Sequence, residues 1–220
     1  MRIFVFALLY VLSASLAGAQ TVPELGPEVD PPSAEDFIPL PEALPQEGGK
    51  VVVEDADPDT EKSRLEQLYS DLAEAKSPKS AERIAREIQL IWMESGSDTV
   101  DVLMSRAGRA IQSENAALAL DFLDVVVILN PSYAEGWNRR ATVHYMREDF
   151  GKSLVDIERT LALEPRHWGA LSGLAIIQRR LGFEEEALVT FRQALEINPG
   201  LENAAKAIED LEKDAEGEGV

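Results

Sequence analysis

The sequence predicts an all-α fold built from repeated helix pairs, and three observations lead to this prediction. Pro131, Pro165 and Pro199 recur at one constant interval along the chain, and each follows Asn or Glu. An amphipathic stretch with helical apolar spacing precedes each proline. Small residues recur at two fixed distances before each proline. A chain that repeats one helical unit at constant pitch buries its apolar faces by stacking the units into a solenoid.

Each repeat unit contains a helix, a short turn, a second helix and a stop at proline. Two equivalent positions in every unit hold only Ala or Ser, which indicates two helices that cross at close range: Ala107, Ala119, Ala141, Ser153, Ala175 and Ala187. Two further equivalent positions are apolar in every unit: Leu103, Leu123, Trp137, Ile157, Leu171 and Phe191. Turn residues separate the two helices at 113–115, 148–149 and 182.

This pattern resembles the tetratricopeptide repeat (TPR), a helix-turn-helix unit of about 34 residues, which matches the interval between the prolines. The third copy carries the most residues of the expected types: Leu174, Ala175, Gly182, Ala187, Phe191, Ala194 and Pro199. The second copy departs at Arg140 and His144, where Leu and an aromatic residue are usual, and the first copy has Arg106 and Ala110 there. The resemblance covers about half the chain and implies a right-handed α-solenoid.

The regions around the repeats define the predicted domain organisation. Residues 1–19 combine Arg2, an apolar run and an Ala17-Gly18-Ala19 cleavage signal, which is typical of a signal peptide. Residues 20–62 hold 8 of the 12 prolines and predict a disordered acidic linker. Residues 63–97 predict a degenerate first helix pair that caps the stack, and three TPR-like repeats fill 98–199 (100–133, 134–167 and 168–199). A cap helix (200–214) and a disordered tail (215–220) complete the prediction.

Charge and targeting signals restrict the classes of partner and the location. The formal net charge of −19 argues against a nucleic-acid partner, because phosphates would be repelled. The signal peptide predicts export to a bacterial periplasm, with secretion as the alternative and no stable membrane insertion after cleavage. The chain has no cysteine, which excludes a lipid-anchored cysteine and disulfides.

No motif in the sequence predicts catalysis, a metal site or a cofactor. The two histidines, His144 and His167, have no partners at ligand spacing. We therefore interpret the chain as a non-enzymatic binding protein, an exported scaffold or adaptor for a protein or peptide. A self-associating structural protein and a regulatory subunit of an envelope enzyme complex are the alternatives.

The resemblance implies that the first helix of each pair lines a concave surface that holds a peptide or a partner helix. The candidate groove residues, placed by helical phase, are Met104, Ile111, Asn138, Thr142, Tyr145, Met146, Ser172, Ile176, Arg179 and Arg180. Some TPR proteins grip a C-terminal carboxylate with Lys and Asn one helical turn apart, but of the corresponding residues here only Asn138 matches. We expect instead an apolar platform of Tyr145 and Met146 beside two arginines that can bind carboxylates.

Overall fold

The computed structural model describes residues 58–217, which contain helices and connecting turns and no β-strand within that range. The predicted signal peptide and most of the predicted linker lie outside these residues. In chain order the helices are α1 (Pro58–Ala73), α2 (Pro78–Met93), α3 (Asp98–Gln112), α4 (Ala116–Leu129), α5 (Ala134–Met146), α6 (Phe150–Leu163), α7 (Trp168–Arg180), α8 (Glu184–Ile197) and α9 (Glu202–Gly217).

Three helix pairs stack in sequence and confirm the predicted α-solenoid. α3 packs on α4, α5 on α6 and α7 on α8, and the second helices α4 and α6 also contact the first helix of the next pair. The six small residues at the predicted crossings are all buried. Ser153 replaces Ala at one crossing, and its hydroxyl donates a hydrogen bond of 2.8 Å to the carbonyl of Ala141, so the buried polar group is satisfied.

The turn inside each helix pair uses the same backbone conformation. Glu114, Glu148 and Gly182 occupy equivalent positions of the three repeats and have φ values of 56°, 60° and 81°. This left-handed region suits Gly but costs a residue with a Cβ atom about 1 kcal/mol or more. The repeat therefore imposes its turn geometry even where the sequence supplies Glu.

Two predicted boundaries differ from the structure. α1 begins at Pro58, inside the stretch assigned to the linker, because proline is well suited to the first position of a helix, where its missing N–H is not needed. α9 continues to Gly217, beyond the predicted end of the cap helix at 214. Its apolar residues pack against α8, and Ala204 and Leu211 are buried there.

The N-terminal hairpin, formed by α1 and α2, does not occupy the position of a first repeat, which corrects our prediction. It packs against α5, α7 and α8, rather than against α3. The physical reason lies on α3, where Arg109 is exposed although its equivalents Val143 and Ile177 are buried. A charged face cannot receive a preceding repeat by apolar packing.

The hairpin lies instead along the edge of the stack where one repeat connects to the next. Near the first connection, Tyr133 Oη donates to the Met93 carbonyl at 2.9 Å. Near the second, Trp92 stacks on His167, with ring centroids 4.1 Å apart and 13° between the planes. Near the third, Leu201 packs against the apolar cluster that the hairpin forms with α7 and α8. The hairpin thus contacts both connections between repeats and the connection from the third repeat to α9.

Candidate partner-binding groove

The first helices of the second and third repeats, α5 and α7, form a shallow depression where they lie side by side. Three of its lining residues were predicted from the sequence, and all are on α5: Asn138, Thr142 and Tyr145. From α7, Gly169 and Gly173 contribute to the lining. A Cβ atom added at Gly173 would lie 3.6 Å from Ile157 Cδ1, an ordinary contact distance. Ile157 lies on α6, so a Cβ atom at Gly173 would touch the second helix of the preceding repeat without a clash, and glycine is not required there for packing.

Two predicted groove residues belong largely to the core. Ile111 is 7% exposed and packs between α3 and α4. Tyr145 is 5% exposed, with its ring centroid 5.6 Å from that of Phe150. The prediction that Tyr145 offers an exposed apolar platform is wrong, because its ring packs inward against the second helix of its own repeat. It borders the depression without projecting from it.

The other predicted residues retain accessible surface to different degrees. Met146 is 40% exposed. Partial exposure is found for Met104, Asn138, Thr142, Ser172, Ile176, Arg179 and Arg180. Met104 and Ile176 also pack against neighbouring core clusters, so they contribute to the stack as well as to the surface. The groove position of these residues stays a prediction.

Two arginines, Arg179 and Arg180, lie in the last turn of α7. Arg180 Nη2 lies 3.9 Å from Glu148 Oε1, in the turn of the preceding repeat. This ion pair is exposed on the Glu148 side and contributes little to stability. The position of both guanidinium groups on the concave surface stays a prediction.

A buried carboxylate that the sequence analysis did not identify lies at the other end of α5. Glu135 is 6% exposed and accepts hydrogen bonds from Asn138 Nδ2 at 2.9 Å and from Arg139 Nε. His167 Nδ1 accepts the Ala170 N–H at 3.1 Å, so its proton lies on Nε2, which donates to Glu135 at 3.1 Å. Burial alone raises the pKa of Glu135, but Arg139 and His167 outweigh it and lower the pKa to about 2.

This hydrogen-bond network includes Asn138, the one residue that matched the Lys and Asn pair with which some TPR proteins bind a C-terminal carboxylate. Because Asn138 donates to Glu135, its amide is already engaged within the protein. The charge pattern could have indicated part of the network, since Glu135 and Arg139 lie one helical turn apart on one helix face. The contact from His167 could not have been inferred in that way, because it joins residues 32 positions apart.

The histidines have structural roles in the described part of the chain. His167 caps the N-terminus of α7, and His144 is buried 3.9 Å from Asp156. No group of three or more His, Cys, Asp or Glu residues that could hold a metal ion is found between residues 58 and 217. Among α1–α9, no helix is long and apolar enough to cross a membrane.

Three stacked helix pairs with a concave depression define a TPR α-solenoid. A curated TPR repeat-containing protein of Rhizobium etli is 44% identical over 147 residues, which cover 67% of this chain and 72% of the relative. The chain belongs to the TPR repeat-containing proteins. A scan against models of protein families finds no match.

Solved TPR domains share the fold at low sequence identity. The TPR domain of Arabidopsis OM64 is 21% identical, with a TM-score of 0.51 over 56% of this chain and 98% of that domain. The first TPR domain of Spaghetti (RPAP3), solved with an HSP90 peptide, is 18% identical, with a TM-score of 0.52 over 54% of this chain and 94% of that domain. These similarities establish the stacked TPR architecture.

Proposed function

We propose that this protein is a non-enzymatic, exported adaptor that binds an extended segment of a partner protein along the concave surface of α5 and α7. The depression between these helices is the observation that carries the proposal, because the two glycines in its lining have no side chain to prevent the close approach of a ligand backbone. The RPAP3 domain with its HSP90 peptide, and a yeast Sti1 TPR domain in complex with an Hsp70 peptide, support a peptide ligand for this fold.

The polar, apolar and charged residues of this surface restrict the kind of peptide sequence that it can bind. Asn138 and Thr142 give one wall of the depression polar character, and Ala170 adds a small apolar side chain on the facing helix. Arg179 and Arg180 place positive charge at the end of α7, in a chain of net charge −19. A segment with small or apolar side chains followed by Asp or Glu complements both features. A grip on a terminal carboxylate through Lys and Asn is not part of the proposal.

Selection from a random peptide library on the full chain provides a ligand with which to test the surface. We expect Ser172→Trp, which fills the concave side, and Arg179→Glu, which reverses its charge, each to weaken the selected peptide at least about tenfold, or about 1.4 kcal/mol. Fluorescence anisotropy measures the affinity. Val155→Trp, on the outer side of α6 and 62% exposed, is the matched control. Equal affinity for all three variants and the unaltered chain would contradict the concave site.

Export is tested separately from binding. Residues 1–62 fused to alkaline phosphatase, which is active only outside the cytoplasm, are expected to give an active reporter in a bacterial host. Deletion of the apolar run 3–12 removes the hydrophobic part of the signal and is expected to abolish that activity. An intact fusion that stays inactive in the host would show that this segment does not direct export.

A further inference from the structure

The outer face of α4 is apolar, although it belongs to the water-exposed side of the stack. Leu118, Val125, Ile128 and Leu129 are 41%, 42%, 75% and 55% exposed. α4 contains two acidic residues and no basic residue over its 14 positions. A helix that is apolar all round is expected inside a protein rather than on its surface.

The other two repeats provide an internal control for this observation. At the positions equivalent to Leu118, the second and third repeats have Lys152 and Glu186. Those equivalent to Val125 are Arg159 and Gln193, and those equivalent to Ile128 are Ala162 and Glu196; all six are exposed. The repeat architecture therefore does not require large apolar side chains at these three places, whereas the residues equivalent to Leu129, which are Leu163 and Ile197, are apolar in both other repeats. The large apolar residues at these three places on α4 indicate a surface that is covered by another molecule, whereas α6 and α8 each expose a single valine, Val155 and Val189.

The spacing of the apolar side chains on α4 is symmetric. Leu118, Phe122, Val125 and Leu129 follow one another with a four-three-four spacing, which is typical of a seam between two packed helices. Reversing the helix leaves this pattern unchanged. An antiparallel copy of α4 would therefore place Leu118 opposite Leu129 and Phe122 opposite Val125. Such an arrangement satisfies the two-fold symmetry of a homodimer.

Charge also favours a second copy over a strongly charged partner. Asp124 on α4 is already engaged by Arg140 at 2.9 Å, which leaves Asp121 as the other acidic group on the helix. Residues 63–200 carry 21 acidic and 16 basic side chains, so most of the net charge lies outside the repeats. Repulsion between two repeat stacks is correspondingly small and is screened beyond about 8 Å in physiological salt.

We propose that two copies of this chain associate through the outer faces of α4, packed antiparallel about a two-fold axis. The seam is about 20 Å long, the length of a 14-residue helix, and therefore forms a small interface. We expect a reversible dimer with a Kd in the range of about 1 to 100 μM. The concave surface proposed to bind a partner lies on α5 and α7 and stays accessible in this dimer.

The mass of the full chain in solution tests the proposal directly. Sedimentation equilibrium is expected to show a concentration-dependent rise from the monomer mass of 24.2 kDa toward twice that value. Val125→Glu with Ile128→Glu is expected to keep the chain at the monomer mass. Val155→Glu with Val189→Glu changes two similarly exposed valines on α6 and α8 and is expected to leave the dimer intact. Circular dichroism melting checks that both double variants are folded.

Disulfide trapping tests the orientation, because the natural chain has no cysteine. Leu118→Cys chains mixed with Leu129→Cys chains are expected to form mixed disulfides in preference to disulfides between identical chains. A monomer at all concentrations up to about 1 mM, far above the expected Kd, would overturn the proposal. A dimer that survives Val125→Glu with Ile128→Glu, or trapping only between identical chains, would also overturn it. The Val125→Glu, Ile128→Glu variant is also expected to bind the selected peptide with unchanged affinity. Loss of the dimer can therefore be distinguished from loss of the concave binding site.

Discussion

Arg140 on α5 forms a bidentate salt bridge with Asp156 on α6. Arg140 Nε and Nη2 donate to the two carboxylate oxygens at 2.8 Å each, and Asp156 is only 1% exposed. The remaining Nη1 donates to Asp124 on α4 at 2.9 Å. One guanidinium thus connects three helices at a position where TPR units usually have Leu. The departure from the repeat pattern is compensated by two acidic residues, each 16 positions away in the sequence.

The first prediction concerns this salt bridge. Arg140→Leu leaves Asp156 buried without its partner and is expected to reduce the free energy of unfolding by about 3–5 kcal/mol. Arg140→Leu with Asp156→Leu replaces the pair by apolar packing and is expected to recover most of that loss. Urea denaturation measures both. Arg159→Leu, an exposed arginine of α6, is the control and should change stability little. Equal losses in the single and double variants would refute this account.

The second prediction concerns the pH dependence that Glu135 contributes. The pKa of Glu135 is about 2 in the folded chain, below the roughly 4.3 of an unfolded glutamate. The unfolded chain therefore binds a proton first as the pH falls, so the stabilisation is fully present above about pH 5 and is lost toward about pH 2. A shift of this size corresponds to about 3 kcal/mol.

Glu135→Gln removes this carboxylate and is expected to lower the free energy of unfolding near pH 7 by about that amount. The difference from the unaltered chain should shrink between about pH 5 and about pH 3. Urea denaturation at several pH values measures it. The control is Glu185→Gln on exposed α8 surface, which should follow the unaltered chain. A difference that stays constant with pH would contradict the assigned role of Glu135.

The third prediction concerns the N-terminal hairpin. Trp92→Ala removes the ring that stacks on His167 and lies 4.3 Å from the ring of Trp168, so it opens a cavity beneath α2. We expect a loss of about 2–4 kcal/mol and earlier protease cleavage in α1 and α2 than in the repeats. Leu90→Ala on the same helix, 55% exposed, is the matched control. Simultaneous cleavage of hairpin and repeats would show that they do not separate as units.

The fourth prediction concerns the close helix crossing in the third repeat. Ala187 has no exposed surface, and Ala187→Glu adds both volume and a buried unpaired charge there. We expect a loss of on the order of 3 kcal/mol or more, a large fraction of a typical domain stability of about 5–15 kcal/mol. Glu185→Ala at an exposed position should change little. Thermal melting monitored by circular dichroism measures both, and equal melting temperatures for Ala187→Glu and the unaltered chain would exclude tight packing at this crossing.

The repeat architecture could be predicted from the amino-acid sequence without any structure. Pro131, Pro165 and Pro199 mark where each second helix ends, and the small residues at the crossings are buried as predicted. These features are readable because they depend on local rules: helix period, turn residues and a constant distance between equivalent positions. Because the same pattern occurs in all three repeats, it stays recognisable even where one repeat departs from it.

Three features became visible only in the folded chain: where the N-terminal hairpin packs, the inward turn of Tyr145, and the contact of Glu135 with His167. Helical periodicity shows which face of α2 is apolar, but not which of several apolar surfaces will cover it. The outcome depends on which surfaces are available in the folded chain. The face of α3 carries exposed arginines, whereas the start of α7 offers aromatic residues, and the hairpin packs on the latter. Such contacts join residues far apart in the chain, where no fixed spacing relates the two partners.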